Sequence, residues 1–237
     1  MPYGKRKRRT FKRKSRGKRR RFHRKNRTGT TGKAKIGRQL SVMSDKQLVR
    51  LRYCTQITLE GAVAGLPDAH VFRANSCYDP DQTGGGHQPY GYDQWSNFYS
   101  RYTVIGSKIS AHVTSIGANN NCNGFIVCAL QHDTTAETDA ELIVERRNAK
   151  YAMLTMSTGY GKIRVTNTFS PKKFFNVKDL TDGSVYSAET TGNPNQEAYF
   201  VLYHLPLDAG IQTAATPVWV VIDYLVMFTK RKDMSQS

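Results

Sequence analysis

Residues 1–40 hold nineteen Lys and Arg and not one Asp or Glu. A segment so charged, with so few apolar residues, cannot bury enough surface to offset its ordering entropy. It is therefore expected to be a disordered arm, and a single compact domain beginning at Met1 is excluded. The whole chain has 237 residues, 36 Lys plus Arg and 18 Asp plus Glu, for a net charge of +18. Subtracting the arm leaves 17 basic and 18 acidic residues in 41–237, a net of −1. One end is a polycation, and the rest is a nearly neutral body long enough for one sizeable core.

The longest apolar run, Val218 to Phe228, has eleven residues and contains Asp223. That is short of the roughly 20 needed for a helical membrane span. The basic N-terminus is not followed by the apolar stretch of a secretory signal. Cys54, Cys77, Cys122 and Cys128 show no CxxC pair or zinc spacing. They read as reduced, small, buried hydrophobes. The Asn26-Arg27-Thr28 sequon reads as chance.

From Gln47 onward the pattern has period two. Leu51, Tyr53, Ile57 and Leu59 fall on one face, and Arg52, Gln56 and Thr58 on the other. This predicts a strand half-covered by core. Strand readings also fit 102–116, 124–131, 162–169, 174–177, 198–205 and 218–229, which are rich in Val, Ile, Thr and aromatics. Gly, Pro, Asn and Asp punctuate the intervals. Thr138-Asp139-Ala140-Glu141 reads as a capping box opening one short helix of about ten residues. Strands do not alternate regularly with helices, so a parallel βαβ sheet is disfavoured. The predicted fold is all-β: a single jelly-roll sandwich over 41–237, with about eight strands and one short helix in a loop, behind the basic arm of 1–40.

Catalytic signatures are weak. There is no phosphate loop, HExxH, GxSxG or EF-hand loop. Ser157 to Lys162 has a phosphate loop's composition without its spacing, and reads as a turn leading into a strand. None of His23, His70, His87, His112, His132 and His204 pairs with another His or Cys at a metal-ligand interval. His112 and His204 are expected as hydrogen-bonded residues of the sandwich. His132 and Asp133 are expected on opposite faces. No catalytic residue, metal or cofactor is predicted, and the chain does not read as an enzyme.

The most distinctive stretch of the body runs from Gly84 to Tyr102 and holds His87, Asp93 and many aromatics. Its glycines and Pro89 argue against regular structure. Tyr90, Tyr92, Trp95, Phe98 and Tyr99 suit anchoring of this connection on the sandwich end and against a neighbouring subunit. These five are the subunit-interface candidates.

The arm has stronger signals. Lys5, Arg6, Lys7, Arg8, Arg9, Lys12, Arg13, Lys14, Arg16, Lys18, Arg19, Arg20, Arg21, Arg24, Lys25 and Arg27 are the nucleic-acid-binding candidates. Such residues contact phosphates without reading sequence, and binding is driven by counterion release. Tyr3, Phe11 and Phe22 suit stacking on unpaired bases. Lys5–Arg9 and Lys18–Arg21 also have the form of nuclear-import signals. The cations are too dense for an apolar helix face that would bind a membrane.

The arm from Lys5 to Arg27, and His87-Gln-Pro-Tyr-Gly-Tyr-Asp-Gln-Trp95 with Tyr99, Tyr102, Val104, Gly106, Ser107 and Lys108, resemble the capsid proteins of the circovirus-like group. These are viruses with small circular single-stranded DNA genomes. The resemblance implies a T=1 icosahedral shell of self-associating subunits and packaging of a single-stranded DNA genome. It also implies nuclear import through host import receptors, and residence in the virion and the host nucleus. Capsid loops of that group also contact host receptors, and no residue here is singled out for that role. A shell of about sixty subunits would gather roughly 1,100 arm charges, matching on the order of a thousand phosphates. A cellular nucleic-acid-binding protein, ribosomal or chromosomal, is the alternative, and a jelly-roll enzyme a third. On the first reading the arm carries nearly all salt-dependent binding and the body nearly all assembly.

Overall fold

A computed structural model describes residues 43–60, 66–114, 124–154, 162–178, 180, 185–207 and 215–233. All of them belong to one unit, Val42–Ser237. The arm lies outside the described residues, as do Cys122, the sequon and Ser157–Gly161. Described are nine strands: β1 (Lys46–Leu59), β2 (Asp68–Arg73), β3 (Tyr99–Thr114), β4 (Gly124–Gln131), β5 (Lys150–Leu154), β6 (Lys162–Phe169), β7 (Ser187–Glu189), β8 (Tyr199–Leu205) and β9 (Thr216–Arg231). Three short helices join them: α1 (Tyr92–Phe98), α2 (Ala140–Glu145) and α3 (Pro171–Phe174).

The strands form two antiparallel sheets. The first has the order β1-β9-β3-β6, with β7 also on β3, and the second has the order β2-β8-β4-β5. Every pairing is antiparallel. The pairs are nested along the chain: β1 with β9, β2 with β8, β3 with β6, β4 with β5. The chain behaves as one long antiparallel hairpin rolled up so that successive arms contribute to opposite sheets. That is the jelly roll expected from the sequence.

The β1 alternation holds: Leu51, Tyr53, Ile57 and Leu59 face inward and Arg52, Gln56 and Thr58 outward. β9 does the same through Val218, Val220, Ile222, Tyr224, Val226 and Phe228. These residues meet Phe72, Ile126, Cys128, Phe200 and Leu202 of the second sheet in the main core. A second apolar cluster lies on the other side of β8 and β4, with Val127, Ala129, Val201 and Tyr203 under Ile143 of α2. The second sheet is thus covered on both faces, which is why β8 is buried along its whole length.

Three expectations are corrected, and three strands are added. Residues 174–177 do not form a strand. Pro171 supplies the fixed φ of a first helical position, and Asn176 at φ 54° ends the turn in the left-handed region. Phe174 packs edge-on against Phe169, 5.6 Å between centroids. The aromatic stretch after Gly84, expected to be irregular, contains α1; Gly91 at φ 85° precedes it. In α2 the cap is Asp139 rather than Thr138. Its Oδ1 accepts hydrogen bonds from the backbone N–H groups of Glu141 at 2.9 Å and Leu142 at 3.3 Å. Finally, β2, β5 and β7 were not visible as period-two runs.

Candidate interaction surfaces

The sixteen basic candidates from Lys5 to Arg27 lie outside the described residues. The five aromatic candidates divide. Tyr92 and Tyr99 are 1% and 0% exposed and belong to the core of their own subunit, so neither ring is offered to a neighbour. Tyr92 packs edge-on against Tyr102 at 5.7 Å, and Tyr99 lies 6.0 Å from Phe228. Their hydroxyls donate to the carbonyls of Thr190 at 3.1 Å and Ser44 at 2.8 Å. Trp95 is half-buried and stacked on Phe228 at 5.9 Å. Only Tyr90, 93% exposed, and Phe98, 43% exposed, present large surfaces outward.

The histidines are taken up by structure. His70 Nε2 lies 3.1 Å from the Asp81 carboxylate, which also accepts from the Thr83 hydroxyl at 2.7 Å. Burial pushes the Asp81 carboxyl up, but the hydrogen bonds from His70 and Thr83 outweigh it and hold it below its ordinary value. The ring nitrogens of exposed His87 lie 2.8 Å from the Gln88 carbonyl and 3.0 Å from that of Cys54. The His132 ring stacks on Phe174 at 4.1 Å, beyond the end of β4. His112 is exposed on β3. His204 is fully buried with neither ring nitrogen hydrogen-bonded among the described residues, contrary to expectation. Burial pushes its imidazole below the ordinary value, and Asp68 opposes that in part.

Cys77 and Cys128 are buried, and burial pushes both thiols up. Cys54 is exposed on β1, which corrects the expectation of burial. Among the described residues no three His, Cys, Asp or Glu side chains converge to hold a metal.

The outward faces of the two sheets differ in chemistry. On the first, the register places Arg52, Asp223 and Lys108 in one cross-strand row. Arg52 donates to Asp223 at 2.6 Å. The adjoining row has Arg50 and Leu225 beside Gly106, at the irregularity between Val104 and Gly106. With no side chain at Gly106, a groove of about 660 Å³ opens there, lined by Arg50, Arg52, Lys108 and Asp223 among others. Towards the other end of the strands, Gln56, Trp219, His112 and Arg164 form another row across β1, β9, β3 and β6. All four are exposed, Trp219 by 53%. Lys162 follows Arg164 on the same face. Among the described residues, Asp223 is the one acid facing outward from the central rows of this sheet.

The outward face of the second sheet is apolar under α2 and acidic around it. Asp133, Glu137, Asp139, Glu141 and Glu145 lie on or before the helix. Arg146 answers two of its neighbours, reaching Glu137 at 2.9 Å and the Gln131 side-chain oxygen at 2.6 Å. Beside the helix a second cavity of about 370 Å³ is lined by Phe125, Val144, Leu205 and Pro206. Edge strand β5 exposes Tyr151 and Met153 nearby.

The sequence reading missed the basic face, although half its signal was present: Arg50 and Arg52 alternate with buried Leu51 and Tyr53. The other half is register. Nothing local places Trp219, His112 and Arg164 in one row, because their strands are distant in sequence.

No family model matches the sequence, and no curated protein matches it. Solved structures similar to the chain include that of Cocksfoot mottle virus, at 14% identity and a TM-score of 0.48, covering 91% of this chain and 97% of the other. The 60-mer BFDV capsid protein is 12% identical with a TM-score of 0.45, covering 82% of this chain and 100% of its own. The semi-empty particle of the giant freshwater prawn Macrobrachium rosenbergii nodavirus is 9% identical with a TM-score of 0.44, covering 83% and 100%.

Proposed function

We propose that the chain is the capsid protein of a small virus, whose jelly roll tiles a shell and whose arm holds the genome. The division of charge carries this reading: nineteen cations in the first 40 residues, and a net of −1 over the remaining 197. A near-neutral body lets like subunits approach without strong repulsion, and the arm supplies phosphate contacts independent of sequence. Jelly rolls are among the architectures that build capsids. Tyr90 and Phe98 are the aromatic surfaces a neighbouring copy would cover. In finer terms, the shell is a T=1 particle of 60 subunits around circular single-stranded DNA, as the family resemblance implies. Lys5–Arg9 and Lys18–Arg21 serve import into the host nucleus, where assembly precedes release of the virion.

The test is negative-stain microscopy of the expressed protein, with nuclease-protected nucleic acid extracted and sized. Uniform particles are expected, and deletion of residues 1–38 should leave particles largely empty. A full-length protein that stays monomeric at high concentration, with and without DNA, would sink the reading.

A further inference from the structure

We infer that the outward face of the first sheet is a second binding surface for single-stranded nucleic acid, with Trp219 as a platform for base stacking. The inference rests on the packaging reading above and adds a contact site in the folded body. Three observations carry it. Trp219, near the start of β9, is 53% exposed on the outward face, so about half of its indole surface is open to a ligand. The register sets it beside His112, with Arg164 next in the row and Lys162 beyond. Arg50 and Lys108 flank the groove over Gly106, and among the described residues neither they nor Lys162 has a carboxylate partner. From Leu225 to Trp219 along β9 is six residues, roughly 20 Å at strand rise. A strip with cations at both ends and an open indole matches an extended chain of phosphates with unstacked bases. A duplex hides its bases from such a ring. The body's net of −1 conceals this face, because a sum over all its residues does not report where the cations lie.

The experiment uses the full-length chain and a single-stranded oligothymidylate. Trp95 and Trp219 are the two tryptophans, so Trp95→Phe leaves Trp219 as the sole indole reporter. Its emission should be quenched on titration, while Trp219→Phe shows little change. Trp219→Ala should weaken binding roughly fivefold or more, and Trp219→Tyr should restore much of it. Replacing Lys108 and Arg164 together by Gln should lower the slope of log affinity against log salt by about 1.4, at ~0.7 per phosphate contact on a single strand. Binding seen by anisotropy with Trp219 emission and the salt slope both unchanged overturns this inference alone. No binding by the full chain overturns it together with the packaging reading.

Discussion

Arg73 holds the most consequential charge in the body. Its side chain is 12% exposed and bridges Asp79 at 2.7 Å and Glu197 at 3.2 Å, and Glu197 also accepts from Tyr199. The Arg73 carbonyl accepts from the buried Tyr224 hydroxyl at 2.8 Å. Arg73→Met should cost about 2–3 kcal/mol, since it strands two partly buried carboxylates; denaturant unfolding monitored by circular dichroism measures this. Acid should also weaken the fold, through two groups whose effects on stability have the same sign. The buried His204 resists a proton that the unfolded chain accepts near pH ~6.5, so stability falls as pH drops through that value. Asp81 is held below its ordinary value, so its contribution is present above about pH 3.9 and lost as pH falls further. His204→Leu should flatten the loss between neutral pH and pH ~5, and Asp81→Asn only the loss below pH ~4. Unfolding midpoints across pH separate the two. At this scale the sequence shows which residues of β1 point inward but not the fate of Tyr92 and Tyr99. A tyrosine suits a core and an interface equally, and distant Phe228 and Thr190 decide between them.

The elements were legible where a strand is long and either alternates, with one face wet, or runs apolar, with both faces covered. β1, β4, β6 and β9 alternate or run apolar over long stretches, so their periodicity survives in the sequence. β2 is short and buries Val71 and Phe72 on opposite sides, in two different clusters, which erases alternation. β5 is an edge strand whose Lys-Tyr-Ala-Met-Leu has no strand signature of its own. α1 consists of weak helix formers and is held instead by Tyr92 and Trp95 packing inward. Removing the α2 cap by Asp139→Ala should cost about 1 kcal/mol. Gly124 is a harsher position, because a Cβ there would run into the Leu205 carbonyl of the adjoining strand. Gly124→Ala should therefore cost about 2–3 kcal/mol by forcing β4 from β8. Urea midpoints of both variants check the order, with Gly124→Ala the less stable.

For the molecule as a whole, the opening feature of the sequence leads to a prediction about ionic strength. Full-length protein stripped of nucleic acid carries nineteen like charges per arm, so its assembly should be promoted by salt or by a polyanion. A chain lacking residues 1–38 should assemble with little regard to salt. Light scattering across ionic strength distinguishes the two. The fold class was legible because strand count and the scarcity of helix limit the architectures available. The polarity of the body was not, because a sum over residues cannot report that cations gather on the outward face of the first sheet.

The place of β9 has a consequence for synthesis. Among the described strands it comes last along the chain, yet it lies between β1 and β3 and pairs with both along nearly its full length. Until Thr216–Arg231 emerge, β1 has no partner among the described strands of its sheet and β3 lacks one of its two long neighbours. The first sheet therefore closes only once β9 has been made, and a chain cut short before β9 leaves the facing edges of β1 and β3 open and prone to pair elsewhere. The topology makes β9 a condition for closing the first sheet, so a chain lacking Thr216–Arg231 should be found aggregated rather than folded.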